Sequence, residues 1–214
     1  KTSVKEMLAS IFAVAAGGEQ TDSIDSLVHA TKGNLNNHIG LPLTVLGMNS
    51  SHRYVVAEMG MNHFGEIDYL THIAQPDVAL VNNAGAAHLE ALGSVEGVAR
   101  AKGEIFGGLV SNGTAIINAD DQFAPLWREL AAKNQISTFG LNGEVSAKDI
   151  ELLPTGSMFT LVCPLGEAAI SLAVPGEHNV RNALAAAAAA LAVNVQLAQV
   201  AQGLSQWAGV KGRL

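Results

Sequence analysis

A histidine, a lysine and two glutamates lie close together near the middle of this chain, among very small neighbours. His88 and Glu90 follow three small residues at positions 85–87, and Lys102 and Glu104 come one short predicted helix later. Imidazole and carboxylate groups bind metal ions, and the small residues leave room for a ligand beside the backbone. The pattern indicates phosphate and metal chemistry.

The first residues of the chain carry a second signal for phosphate binding. Lys1-Thr2-Ser3 precedes apolar residues at helical spacing from Val4 to Ala16. Lysine followed by threonine at the head of a helix is the end of the phosphate loop G-x-x-x-x-G-K-[ST], in which the lysine contacts the outer phosphates and the hydroxyl binds magnesium. The dipeptide alone is a weak signal, because the glycines and the strand that would precede it are not in this sequence.

Three polar residues follow predicted strands or lie on a predicted helix beside them. Glu58 comes directly after an apolar run, and His88 follows the strand that ends at Asn82. Ligands of open α/β sheets bind at the carboxyl ends of the strands, and magnesium prefers oxygen ligands, so Glu58 is a candidate magnesium ligand. The alternatives are a solvated strand end for Glu58, a structural histidine for His88 and a surface lysine for Lys102.

Two further segments are rich in side-chain amides. The segment 31–37 contains three asparagines and a glycine, which suits an ordinary turn as well as contact with a phosphate or peptide group. His178 and Asn182 lie one helical turn apart on a predicted helix that opens after Gly176. Either His178 or Asn179 could cap that helix, and the same groups could contact a base or a ribose.

The order of apolar runs predicts a doubly wound α/β fold with a mostly parallel sheet. Predicted strands alternate with predicted helices, over Arg53–Met59, Glu66–Ala74, Val78–Asn82, Val95–Leu109, Thr114–Asn118 and Gln122–Ala132. Short alternating segments between residues 137 and 174 indicate a small antiparallel β sub-region. Two alanine-rich helices, Asn179–Val193 and Gln196–Trp207, complete the chain.

Composition excludes several classes of function. The chain has 214 residues, of which 49% are apolar and 14% charged, with a net charge of -7 and no basic cluster, so nucleic-acid binding is not expected. Its single cysteine, Cys163, lies in an apolar strand and is expected in the core. No targeting peptide or membrane-length apolar run is recognisable, which favours a cytoplasmic protein without membrane contact.

Taken in order along the whole chain, these segments resemble the central, ATP-binding domain of the Mur ligases, which form amide bonds in peptidoglycan precursor synthesis. Within the family, the sequence motifs are most similar to those of the members that add D-Ala-D-Ala. The motifs that carry the resemblance are GNLNNHIGLP from Gly33, EMG from Glu58, VNNAGAAHLE from Val81 and AKGEIF from Ala101, together with GEI from Gly65.

The resemblance implies a catalytic and metal-binding role for a first set of residues. Lys1, Lys102 and His88 are the implied catalytic residues, with Lys1 on the outer phosphates of ATP. Lys102 matches the lysine that the family carbamylates with CO₂. The implied magnesium ligands are Thr2, Glu58, His88 and Lys102.

A second set is implied to face the nucleotide or the acyl substrate. Lys1 and Thr2 belong to this set as the end of the phosphate loop. The other implied binding residues are Ser3, Asn34, Asn36, Asn37, His178, Asn179, Asn182 and Arg213.

The implied reaction joins D-Ala-D-Ala to UDP-N-acetylmuramoyl-tripeptide through an acyl phosphate, with ATP and Mg²⁺, in a monomeric protein. The implied domain covers residues 1–214 and begins inside the phosphate loop. Relative to the family pattern, the strand of that loop, the domain for the UDP-sugar and the domain for the amine are missing. We therefore expect a sheet without one interior strand, and no activity of this chain alone.

Two alternatives stay open. The first is another ligase of the same superfamily, such as the enzyme that adds the third amino acid or a folylpolyglutamate synthase. The second is a nucleotide-binding module without ligase activity.

Overall fold

The computed structural model describes residues 1–17, 27–87 and 89–209. Its strands are Val28–Ala30 (β1), Tyr54–Val56 (β2), Val78–Val81 (β3), Thr114–Asn118 (β4), Gln135–Phe139 (β5), Ser146–Leu153 (β6), Gly156–Cys163 (β7) and Gly166–Leu172 (β8). Its α-helices are Thr2–Ala15 (α1), Gly40–Leu46 (α2), Glu66–Ala74 (α3), Leu89–Leu92 (α4), Val95–Gly103 (α5), Ala124–Leu130 (α6), Glu177–Ala192 (α7) and Leu197–Gln206 (α8). A 3₁₀ turn, Glu104–Gly108, follows α5.

The first five strands are parallel, as the sequence predicts. β1 pairs with β2, and β4 lies between β3 and β5 with Ile116 opposite Leu80 and Ser137. The central residues of β4 are fully buried, because helices cover this part of the sheet on both faces. The prediction of an α/β fold is confirmed.

A cleft separates the two groups of parallel strands. β2 and β3 are not hydrogen-bonded to each other, and a cavity of about 820 Å³ lies between residues 54–58 and residues 78–83. Lys1, Lys5 and Lys102 also line this cavity. Within the described residues the parallel strands therefore form two sheets rather than one.

The antiparallel sub-region is present but smaller than predicted. β6, β7 and β8 form a three-stranded antiparallel sheet, with Phe159 of β7 opposite Ile170 of β8. The predicted boundary at residue 137 is wrong, because residues 137–139 belong to β5 and pair parallel to β4. Ser137 and Thr138 interrupt the continuous apolar run that is typical of a parallel strand, and β5 lies at an edge of the parallel sheet within the described residues.

Helix α7 fills the centre of the core. Its alanines from Ala183 to Ala190 are buried and pack together with Ile11 of α1, Ile116 of β4 and Phe139 of β5. Small side chains let the helix approach both α1 and the sheet closely. Cys163 is buried in the same core, as predicted. None of the helices in the described ranges has the length and apolar character needed to cross a membrane.

Contact between α1 and α8 depends on Gly203. A Cβ atom placed at this position would lie 2.4 Å from the Cα atom of Ile11, which is a backbone atom and cannot move cheaply. We expect Gly203→Ala to lower the free energy of unfolding by about 1 kcal/mol or more, because overpacking outweighs the gain in helix propensity. Urea-induced unfolding measures this loss.

The matched control for this substitution is Gly107→Ala. The nearest atom to a Cβ at Gly107 is 3.6 Å away, an ordinary contact distance. Equal urea midpoints for the two variants would contradict the proposed helix contact.

Candidate active site

Glu58 is a buried carboxylate at the carboxyl edge of the sheet. It lies two residues after β2 and is only 8% exposed. Asn36 Nδ2 donates a hydrogen bond to Oε1 at 2.8 Å, while Oε2 has no hydrogen-bond partner among the described residues. An unpaired buried carboxylate oxygen is costly, so the site fits a cation that would complete its coordination.

Gly60 permits the contact between Asn36 and Glu58. The Gly60 N–H donates to the Asn36 carbonyl at 2.7 Å, and a Cβ at Gly60 would lie 2.8 Å from Asn36 Oδ1. A larger residue at position 60 would push the loop of Asn36 away from the carboxylate. The Glu-Met-Gly sequence therefore combines a candidate metal ligand with the glycine that its supporting loop requires.

The other predicted amides of this loop have different roles. Asn37 Oδ1 accepts hydrogen bonds from the N–H groups of Ile39 and Gly40 at the start of α2. Asn34 is exposed, and its carbonyl accepts the N–H of Asn36 at 2.7 Å. Of the three asparagines, the structure brings only Asn36 to Glu58.

Lys1 and the first turn of α1 lie beside the same edge. Lys1 Nζ donates to the carbonyl of Met59 at 3.4 Å and lines the cleft next to Glu58. Thr2 and Ser3 form the first turn of α1 and are half-exposed. The phosphate-loop residues predicted from the sequence therefore lie next to the predicted metal ligand.

Lys102 reaches the cleft from α5. Its Nζ donates to the Asn83 carbonyl at 2.6 Å, just beyond the end of β3. Burial and the positive charge of Lys1 lower the pKa of Lys102, and the carboxylate of Asp121 opposes this only in part. A larger fraction of its amine is therefore neutral near pH 7 than for an exposed lysine.

Glu104 and Glu90 do not join the cation site. The Glu104 carboxylate accepts hydrogen bonds from the N–H groups of Gly65 and Asp68 at the start of α3, and so complements the positive end of that helix. Glu90 is exposed on α4. The described residues contain no group of three or more His, Cys, Asp or Glu side chains that could hold a metal ion. His88 and Arg213 lie outside the described residues.

The amino-terminal turns of α7 meet the end of β3. Asn182 Oδ1 accepts a hydrogen bond from Asn82 Nδ2 at 3.2 Å, and Asn179 Nδ2 donates to the Pro175 carbonyl at 2.8 Å. His178 is exposed at the start of the helix. Because Lys102 contacts Asn83, the pair Asn82-Asn83 connects Lys102 with the residues predicted to face the base.

Asp120 and Arg181 are not among the predicted site residues, yet they hold α7 in place. Asp120, which follows β4, accepts hydrogen bonds from the N–H groups of Leu141 and Asn142, from Asn142 Nδ2, and from Arg181 Nη1 at 2.5 Å. Partial burial alone would raise the pKa of Asp120, but these hydrogen bonds and the Arg181 charge outweigh it and lower the pKa. The sequence signal for Asp120 was a carboxylate two residues after a predicted strand.

Comparison with known proteins identifies similar chains. Residues 1–190 match the family described as Mur ligase middle domain. The chain is 48% identical over its whole length to the UDP-N-acetylmuramoyl-tripeptide–D-alanyl-D-alanine ligase of Haemophilus influenzae, of which it covers 45%.

Solved structures give the same result. The crystal structure of MurF from Acinetobacter baumannii has a TM-score of 0.92 at 44% identity, and the match covers 100% of this chain and 45% of that one. MurF from Thermotoga maritima in complex with ADP has a TM-score of 0.81 at 26% identity, covering 99% and 47%. The chain thus spans about half the length of the curated relatives it matches.

The lowered pKa of Asp120 leads to a prediction about acid stability. A carboxylate whose pKa is lower in the folded state stabilises that state above its ordinary pKa of about 4, and the contribution is lost as the pH falls through the folded-state value. We expect Asp120→Asn to have a lower urea midpoint than wild type at pH 7. Near pH 3 the two urea midpoints should lie closer together. Glu129→Gln, an exposed control, should change neither. A constant difference across this range would contradict the assignment.

Proposed function

The chain belongs to the Mur ligase family as its middle domain, and on that premise we propose that it binds ATP and Mg²⁺ within a ligase that joins D-Ala-D-Ala to UDP-N-acetylmuramoyl-tripeptide. The observation that carries the proposal is the buried Glu58 carboxylate, with one unpartnered oxygen beside Lys1 at the edge of a parallel sheet. Such an edge is where open α/β sheets bind ligands.

The named relatives favour this ligase over the alternatives. Identity of 48% extends across the whole chain to a ligase named for the tripeptide and D-Ala-D-Ala. This supports the same substrates here rather than those of another ligase of the superfamily. A nucleotide-binding module without activity would not need the combination of Glu58, Lys1 and Lys102 at one edge.

Glu58, Thr2 and His88 are the residues we propose for holding Mg²⁺. The orphaned Oε2 atom of Glu58 fits a hard cation that prefers oxygen ligands. When bound, Mg²⁺ neutralises the phosphate charge of ATP. The Thr2 hydroxyl lies in the first turn of α1, as the phosphate-loop pattern requires.

The reaction we propose has two steps. First, the terminal carboxylate of the tripeptide attacks the γ-phosphorus of ATP, the bond to the bridging oxygen breaks, and an acyl phosphate and ADP form. Then the D-Ala-D-Ala amine attacks the acyl carbon, gives up a proton, and inorganic phosphate leaves. Lys1 balances charge on the outer phosphates, so the protein contributes positioning and electrostatic stabilisation.

We propose that Lys102 acts as a carbamate. CO₂ reacts with a neutral amine, and burial together with the Lys1 charge lowers the pKa of Lys102. The carbamate would keep an N–H that can donate to the Asn83 carbonyl, and it would replace a positive charge with a negative one near the cation site. The carbamate would attract a metal ion, whereas the unmodified ammonium group would repel it.

The nucleotide base is proposed to lie against the start of α7. His178, Asn179 and Asn182 present polar groups there, and Asn182 is fixed by Asn82 at the end of β3. Arg213 is kept as a binding residue from the family resemblance alone. The loop of Asn34, Asn36 and Asn37 is proposed to face the acyl substrate and the phosphates.

We propose that the cleft between β2 and β3 accepts a parallel β-strand that leads into the phosphate loop. Both neighbouring strands are parallel, and each has a strand partner on one side only within the described ranges. Because that strand would deliver the loop to Lys1, this chain alone is proposed to be inactive.

The first test is phosphate release by the whole protein with ATP, Mg²⁺ and UDP-N-acetylmuramoyl-tripeptide. We expect release with D-Ala-D-Ala and none with free amino acids. Release with a free amino acid and a shorter UDP-linked acceptor would instead support a sister ligase. If no pairing released phosphate while ATP still bound, the chain would be a nucleotide-binding module.

The second test concerns Lys102. We expect Lys102→Ala to lower kcat at least about 100-fold, because a charged group of the site is lost, and a small carboxylate to restore part of the rate. With ¹³CO₂, a carbamate carbon signal should appear in the NMR spectrum of wild type and be absent from the variant. Lys133→Ala, an exposed control in a loop, should keep both rate and signal. If wild type were fully active but showed no carbamate signal, the proposed carbamate of Lys102 would be wrong.

A further inference from the structure

Lys5 is a buried lysine for which the reaction described above has no use. It lies one helical turn after Lys1 on α1, lines the cleft, and is only 5% exposed. Its Nζ donates to the Thr31 carbonyl at 2.6 Å and forms an ion pair with Glu6 at 2.7 Å.

Burial of an ammonium group is costly, and an apolar side chain of the same length would fill this position without that cost. The benefit of the charge must therefore come from the contacts that it makes. Glu6 is 41% exposed, so that ion pair is screened by water. The contact that remains specific is the hydrogen bond to Thr31.

Thr31 uses all three of its polar groups to connect separate elements. Its N–H donates to the Val56 carbonyl of β2 at 2.9 Å, its carbonyl accepts from Lys5, and its Oγ1 accepts from the Glu58 N–H at 2.9 Å. Thr31 is 2% exposed, so water does not compete for these bonds. A continuous hydrogen-bonded path therefore runs from α1 through Thr31 to the backbone of Glu58.

We propose that Lys5 and Thr31 are positioning residues that fix the Glu58 carboxylate relative to Lys1 and Thr2, and so set the affinity for the divalent cation. Asn36 orients the carboxylate from one side, and the path from Lys5 fixes its backbone from the other. The inference rests on the cation site of the proposed function. Neither residue touches the nucleotide or the cation in this role.

The test is binding of Mn²⁺, a spectroscopic substitute for Mg²⁺ at oxygen ligands, to the whole protein with saturating ADP, followed by electron paramagnetic resonance. We expect Lys5→Met and Thr31→Val each to weaken Mn²⁺ binding about tenfold, the lower range for residues that support metal ligands. Thr31→Ser, which keeps the hydroxyl, should bind Mn²⁺ as wild type does, as should the control Lys133→Met. Metal-free ADP affinity should be unchanged in all of them.

Wild-type Mn²⁺ affinity in folded Lys5→Met and Thr31→Val would overturn the inference, as would equal weakening by Thr31→Ser and Thr31→Val. If Lys5→Met does not fold, the Thr31 pair decides. Failure of the cation site itself has a different result: wild type would not bind Mn²⁺, or Glu58→Gln would bind it as tightly as wild type.

Discussion

The site depends on one electrostatic constraint, a carboxylate removed from water with only one of its two oxygens hydrogen-bonded within the described residues. Glu58 is tolerated in this state because Asn36 supplies one donor and the ammonium group of Lys1 lies beside it in the cleft. A neutral residue would be easier to bury, so the arrangement costs stability. In the proposed function, part of that cost is recovered when a cation supplies the missing partner.

Backbone carbonyls and side-chain amides at the strand ends position the other polar residues of the site. The Asn83 carbonyl holds Lys102, the Asn82 side chain holds Asn182, and the Asn82 carbonyl accepts from Asn118 at 2.9 Å. Each of these groups belongs to or follows a strand whose position the core fixes. The site is therefore as rigid as the sheet edge from which it is built, which favours precise placement of charge over induced rearrangement.

Regular elements could be predicted well from the sequence wherever the pattern was local. The bounds of α3 and β4 match the prediction. An amphipathic pattern determines the helix α3, and a buried apolar run determines the strand β4. Helix α2 was not predicted, because its apolar residues lie on both the buried and the exposed face. Leu46, for example, is 80% exposed. β5 was not recognised as a parallel strand because Ser137 and Thr138 interrupt the continuous apolar run that is typical of such a strand.

The site was predictable in its residue types and not in its contacts. Glu58 and Lys1 were identified by their positions at a strand end and a helix start, and Lys102 by the family resemblance. The structure places all three along one cleft. The bond between Asp120 and Arg181 joins residues 61 positions apart, and no local pattern indicates it. The same holds for the path from Lys5 to Glu58, because helix lysines are usually exposed and only the packed structure shows that this one is not.

The divided sheet has a consequence for how this domain behaves by itself. The facing edges of β2 and β3 present main-chain donors and acceptors without strand partners among the described residues, inside a cleft with apolar walls. Unpaired edges of this kind recruit strands from other chains. A preparation of the isolated domain would therefore be prone to exchange strands between molecules and to aggregate, and an extended peptide that enters the cleft would act as its solubilising partner.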